Sequence, residues 1–291
     1  MIISNIIGGL GNQMFQYAAG RALALSLNTE LYLDIGGFDS YRLHNGFQLS
    51  HVFSLPARIS GHSDTRKLLG WQASKIRILS HPKFAWLRKR ALVVEPYFDF
   101  WAGFFDAPSD CYISGYWQSE KYFAKHADRI REEFSFHLQL DDRNAEIVRR
   151  MKGSNSVSLH IRRGDYVNNP KTLAVHGLCD IDYYQAAVEL VSARVVSPSF
   201  FVFSDDIAWA RENLKMVFPC EFIGHNQGED SYKDMQLMSV CSHHIIANSS
   251  FSWWGAWLNP EPQKIVIAPK KWFADGRKVP DLLPESWVCL P

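Results

Sequence analysis

Residues 156–166, SVSLHIRRGDY, decide how this chain is read. An apolar, β-branched run delivers His160, Arg162, Arg163 and Asp165 at its end and then turns into a polar loop. A strand that carries cations and a carboxylate at its C-terminal end is how an α/β protein builds a site for an anionic ligand. Residues two apart share a face of a strand, so His160 and Arg162 point one way and Ile161 and Arg163 the other. Arg162 is the arginine expected to meet the ligand, because a guanidinium offers phosphate a planar fork of donors and keeps its charge at every relevant pH. The competing reading is that both arginines pair with acids at the strand end.

A second block answers the first. In residues 243–258, HHIIANSSFSWWGAWL, His243–Ala247 reads as a short buried strand. Asn248, Ser249 and Ser250 then cap a helix that carries Phe251, Trp253, Trp254 and Trp257. A Ser-rich helix start presents backbone N–H groups and a positive dipole end, which suits a phosphate. The tryptophans themselves read as core. Between the blocks, residues 199–206, SFFVFSDD, end another apolar run in carboxylates. Asp205 or Asp206 is a candidate acceptor for the paired N–H donors of a guanine edge. One of the two is equally an N-cap for a helix over Ile207–Lys215, and both roles can hold at once.

Around these blocks the C-terminal half alternates strand and helix. The pattern predicts strand Ser156–Arg162, helix Asp182–Arg194, strand Phe200–Ser204, helix Ile207–Lys215, strand Glu221–Ile223, helix Tyr232–Cys241 and strand His243–Ala247, with Lys264–Ala268 completing a sheet. Such alternation means βαβ units and a doubly wound parallel sheet, with ligands bound beyond the carboxyl ends of the strands. His160, Arg162, Asp205, Asp206, Asn248 and Ser249 all fall there. The N-terminal half opens as strand Met1–Ile7, loop Gly8–Gly11, helix Asn12–Leu27 and strand Glu30–Asp34, and becomes irregular afterwards. The loop superficially matches a dinucleotide fingerprint, but Met14 stands where a small residue is required. No Gly-Lys-Ser/Thr is present, which excludes a P-loop. A boundary near Gln139–Asn144 divides the chain into lobes over 1–140 and 141–291.

Composition sets the outer limits. At 291 residues, with 47% hydrophobic and 21% charged residues, the chain is long enough for two globular domains. A formal net charge of +1 gives no global field that would favour nucleic acid. No apolar run approaches a bilayer span, and Met1–Ile7 leads into the glycine loop without a basic leader, so a cytoplasmic protein is expected. Five widely spaced cysteines without a C-x-x-C pair fit reduced thiols rather than a disulfide frame or a zinc site. Asn248-Ser249-Ser250 matches a glycosylation acceptor by chance in such a chain. Arg58–Leu92 carries nine Lys/Arg against the single Asp64, interleaved with Trp71, Phe84 and Trp86. This is either a solvated helix surface or a peripheral contact with an anionic membrane.

Gly8–Tyr17 (GGLGNQMFQY), His160–Tyr166 (HIRRGDY), Phe203–Asp206 (FSDD) and Asn248–Leu258 (NSSFSWWGAWL) together resemble the α-1,2-fucosyltransferases of the bacterial and animal glycosyltransferase family. The resemblance implies an α/β protein of two Rossmann-like lobes (GT-B-like), with an acceptor-side N-terminal lobe and a GDP-binding C-terminal lobe. It implies GDP-fucose as donor and inverting transfer to the 2-OH of a galactose, on a galactose-terminated oligosaccharide or lipid-linked glycan. The HxRRxD motif of such enzymes carries over to His160, Arg162, Arg163 and Asp165, with Arg162 on the donor phosphate. The early glycine loop, which approaches the donor from the other lobe in related enzymes, points to Gly11, Asn12 and Gln13. The animal relatives carry a membrane anchor and stem; this chain looks like a bacterial version that builds surface glycans from the cytoplasmic side.

As the donor's glycosidic bond breaks, charge accumulates on the β-phosphate, where Arg162 and the N–H groups at Ser249, Ser250 and Phe251 can stabilise it. An arginine in that role replaces a divalent metal, so no cofactor is expected. Asp165 is the nearest carboxylate to serve as acceptor base, or else it holds Arg163 or the loop. Two rival classes explain less. A nucleotide-dependent oxidoreductase shares the βαβ pattern but not the His/Arg strand, and a carbohydrate-binding protein has no need of phosphate ligands.

Overall fold

A computed structural model describes residues 1–39, 45–164, 167 and 169–291, the side chain of Lys171 excepted. The chain forms two compact units. One comprises Met1–His137 with Val279–Pro284, and the other Leu138–Lys278 with Glu285–Pro291. The exchange of residues 279–284 back to the first unit has no counterpart in the sequence pattern.

The first unit is built on five parallel strands: β1 (Ile2–Asn5), β2 (Leu31–Asp34), β3 (Arg58–Ile59), β4 (Leu92–Val94) and β5 (Cys111–Ser114). Their order is β3-β2-β1-β5-β4, so β1 is central. The helix after β1 runs over Leu10–Ser26, two residues earlier than its sequence suggests. Gly8 turns the chain at φ +80°, which favours glycine, and Gly9 is the N-cap, so Gly11 lies inside the first helical turn. Met14, Phe15, Tyr17, Ala18, Ala22 and Leu23 are buried almost all round this helix. The later strands have two to four residues each, too little for a period to show in sequence, and are separated by 3-10 turns and short α-helices.

The second unit holds six parallel strands: β6 (Asn155–Ile161), β7 (Pro198–Ser204), β8 (Cys220–Ile223), β9 (His243–Ile245), β10 (Val266–Pro269) and β11 (Val288–Leu290). The order β11-β10-β9-β6-β7-β8 places β7 and β8 on one side of β6, and β9, β10 and β11 on the other. This is the doubly wound parallel sheet that alternation implied, with the reversal of strand order between β6 and β9. Observed helices at Ile181–Ser192, Ile207–Asn213, Tyr232–Val240 and Ser250–Leu258 fall where the pattern placed them. A helix at Pro170–His176 and the edge strand β11 are additional. Val157, Leu159, Ile161, Tyr184, Val202 and Ile245 lie in one buried cluster. Trp253, Trp254 and Trp257 are also buried, their rings 4.9–6.1 Å apart, as a core helix would have them. All five cysteines are free. Among the described residues, no helix is long and apolar enough to cross a membrane.

Candidate active site

β6 and β7 pair in register to their last residues, Ile161 opposite Ser204. The chain therefore leaves the sheet at Arg162 and at Asp205 side by side. The Arg162 guanidinium lies 3.1 Å from Asp205 Oδ2, and the Arg163 N–H donates to Asp205 Oδ1 at 2.8 Å. Gly164 completes this clamp: a Cβ there would stand 2.9 Å from Asp205 Oδ2. The Arg163 guanidinium turns away, 3.7 Å above the Trp209 ring and 3.5 Å from Asp206 Oδ2. Alternation along the strand thus separates the two arginines as expected, and each has an acid. Asp206 also caps the Ile207–Asn213 helix by accepting the Trp209 N–H, while remaining 40% exposed against 24% for Asp205.

His160 ends up buried beneath this turn, its ring 5.9 Å from that of Phe251. Burial, only partly opposed by Asp205, lowers its pKa to about 4, so the imidazole is neutral at ordinary pH. Its Nδ1 has no hydrogen-bond partner among the described residues. The His160–Phe251 contact joins the two sequence blocks, β6 to the helix after β9, across the point where the strand order reverses.

At that second block Ser249 is the N-cap, its hydroxyl accepting the Phe251 N–H at 3.3 Å, while the Ser249 N–H donates to Ala247. The first-turn donors left for a ligand are those of Ser250 and Ser252. Asn248 is turned inward, its amide donating to the carbonyls of His176 at 2.8 Å and Trp272 at 3.2 Å. It joins two loops behind the helix start. Asp165 lies outside the described residues.

Gly11, Asn12 and Gln13 belong to the first unit, where their polar groups are used internally. Gln13 donates to the carbonyls of Gly8 and Gly46 at 2.8 and 2.7 Å and accepts the Gln48 N–H at 2.9 Å. Asn12 accepts from the Gln118 amide at 2.7 Å.

One residue of this unit carries a chemical signal that its sequence context does not show. Glu95 follows β4 and accepts the N–H groups of Tyr116 and Trp117 at 2.7 and 2.9 Å. Burial raises its pKa to about 7 in spite of those two bonds. Trp117 adopts φ +55° and Gly115 leaves room for the Glu95 stem, which a Cβ would meet at 2.4 Å. A glycine after a short strand, directly before Tyr116 and Trp117, was the only hint available.

An arginine and a helix N-terminus at the reversal point of a doubly wound sheet are groups that could hold a phosphate. The chain belongs to glycosyl transferase family 11, whose description matches residues 85–290. It is 38% identical over 291 residues to the alpha-1,2-colitosyltransferase of Escherichia coli, covering 99% of this chain and 98% of that one. It is 32% identical over 310 residues to the O-antigen biosynthesis glycosyltransferase WbnK of Escherichia coli, with 99% of each chain covered. Galactoside alpha-(1,2)-fucosyltransferase 2 of Rattus norvegicus is 30% identical over 264 residues, 89% of this chain and 67% of that protein. Among solved structures, fucosyltransferase NodZ from Bradyrhizobium shares the GT-B-like fold at a TM-score of 0.50 and 14% identity, over 89% of this chain and 93% of that one.

Proposed function

We propose that this glycosyltransferase moves a 6-deoxy-L-hexose from its GDP ester to the 2-OH of a galactoside, with inversion and without a divalent metal. The observation that carries the reading is the His160–Phe251 contact, which sets the end of β6, two residues before Arg162, against the start of the Ser250–Leu258 helix where the strand order reverses. The bond from sugar C1 to the phosphate oxygen breaks, its electron pair stays on GDP, and the acceptor oxygen bonds to C1 from the opposite side. Arg162, held by Asp205, meets the charge that grows on the β-phosphate, and the N–H groups of Ser250 and Ser252 add the helix dipole. A fixed donor array is worth more in the transition state than in the ground state, which is what raises the rate. Arg163 holds the loop through Trp209. Asp206, the more open acid, reads the guanine edge with the face that does not cap its helix.

The acceptor proton goes to a carboxylate. Asp165 is the candidate by motif. The relatives favour a second reading of the donor. The 38% identical relative bears the name of a colitosyltransferase, and colitose is fucose without its 3-hydroxyl.

The test is to incubate the protein with GDP-fucose and with GDP-colitose beside a panel of β-galactosides and to determine product linkage and anomer. An α-1,2 product from either donor supports the reading, and the ratio of kcat/KM assigns the donor. Release of GDP without glycoside formation by either donor, or a β-linked product, overturns it.

A further inference from the structure

The basic segment of the first unit has a property that the chemistry of transfer does not use. Residues 62–87 form a chain of short helical turns, His62–Leu69, Gly70–Lys75, Ile76–Leu79 and Pro82–Leu87. They sit on the sheet through the buried Leu69 and Leu79, which pack with Leu92 and Tyr112. Buried Gln72 clips the segment shut, donating to the Leu87 carbonyl at 2.7 Å and accepting the Lys89 N–H at 3.0 Å. Arg88 reinforces the clip from inside, donating to the carbonyls of Leu79 and Ser80 at 2.6 and 3.0 Å. The backbone beside Trp71 is thereby held against the backbone beside Trp86.

Both tryptophans nevertheless point outward, Trp71 63% and Trp86 80% exposed, with Ile78 at 51%. Two indoles left in water at the ends of one clipped segment are unusual for a merely solvated face, because each forgoes burial worth roughly 1.5–3 kcal/mol. Around them Arg66, Lys67, Lys75, Arg77, Lys83 and Lys89 are exposed, and none of these pairs with a carboxylate among the described residues. Asp64, the one acid between residues 58 and 92, is occupied with the Gly61 N–H at 2.8 Å. Most of the segment also precedes residues 85–290, the stretch that matches the family.

We infer that this face docks on an anionic phospholipid bilayer, with Trp71 and Trp86 seated at the headgroup boundary and the surrounding lysines and arginines over the lipid phosphates. Amphipathic indoles favour that boundary, and unpaired cations complement its negative charge. The inference is independent of the donor and acceptor assigned above. Its occupant is fixed by two features at once, since a soluble polyanion would use the cations and ignore the indoles, whereas an apolar protein groove would not call for six unpaired cations.

Flotation of the whole protein with phosphatidylcholine vesicles, with and without phosphatidylglycerol, tests it. The wild type should float with the phosphatidylglycerol vesicles and stay behind with phosphatidylcholine alone. Lys67→Glu/Lys75→Glu/Lys83→Glu should weaken partitioning by about a hundredfold or more, because each cation near an anionic surface is worth about 1 kcal/mol. Trp71→Ser/Trp86→Ser should weaken it by about tenfold or more and leave the residual binding abolished by high salt. Unchanged thermal midpoints would show that both variants remain folded. Failure of the wild type to float with phosphatidylglycerol vesicles overturns the inference. So does equal flotation of the wild type and the tryptophan variant, which would reduce the face to a charge patch open to any polyanion.

Discussion

β1 and β6 lie in the middle of two parallel sheets, yet the polar side chains that follow the two strands are spent differently. After β1, the Gln13 amide at the start of the helix closes on the backbone around it, bridging Gly8, Gly46 and Gln48. After β6, the side chains are charged, and each arginine is steadied by an acid from the neighbouring strand end. An amide whose bonds are all made to the surrounding backbone has little capacity left for a ligand. A guanidinium has five N–H donors, more than a single carboxylate can accept. The comparison teaches that motif residues of similar polarity divide by residual hydrogen-bonding capacity, and that capacity separates a brace from a binding group.

The sharpest way to break this contrast is at Arg162. Arg162→Lys keeps the charge and loses the planar fork, so activity should fall by about 10²–10³, the usual cost of removing one transition-state donor. Arg163→Lys should cost much less, because its contact is with Trp209 and Asp206 rather than the donor. Steady-state kinetics on both variants, with thermal melting to show that they are folded, decides the matter. Wild-type activity in Arg162→Lys, or a greater loss in Arg163→Lys, would reverse the assignment made from strand alternation.

Gln13 probes the other side. Gln13→Ala strands two carbonyls and one N–H in a partly buried loop, and the protein should lose about 2–3 kcal/mol of stability by denaturant titration. The folded fraction should keep its affinity for GDP. Unchanged stability with a raised donor KM would instead make Gln13 a ligand residue, as the family resemblance implies, and would erase the distinction between the two loops.

Much of the second unit was legible because its signals are local. Apolar runs marked β6, β7 and β9, and Asp206 and Ser249 announced helix starts that the structure confirms with side-chain caps. Strand alternation separated Arg162 from Arg163. What could not be read was where side chains two or more elements apart would meet. Nothing in the local pattern shows that Asp205 approaches Gly164, that Asn248 turns inward to His176 and Trp272, or that burial raises Glu95. The strands β3, β4 and β5 were invisible for a different reason: runs of two to four residues carry no measurable period.

The smallest expected effect concerns metal, and it tests whether the paired charges after β6 are self-sufficient. A transferase that neutralises its leaving diphosphate with a divalent cation needs carboxylates free to coordinate it. Asp205 is committed to Arg162 and to the Arg163 N–H, and Asp206 to its helix cap and to Arg163, so a cation placed between them would meet two guanidinium charges at close range. Coulomb repulsion between like charges at about 4 Å is on the order of 4 kcal/mol near a protein surface, enough to disfavour such a site. Initial rates should therefore be unchanged in excess EDTA, and added magnesium or manganese should alter them by less than about twofold. Loss of activity in EDTA that one of those ions restores would mean that Asp205 and Asp206 exchange their arginines for metal when donor binds. In that case the ion pairs after β6 would describe only the resting site, and the contrast with the closed amide loop after β1 would have to be redrawn around the metal.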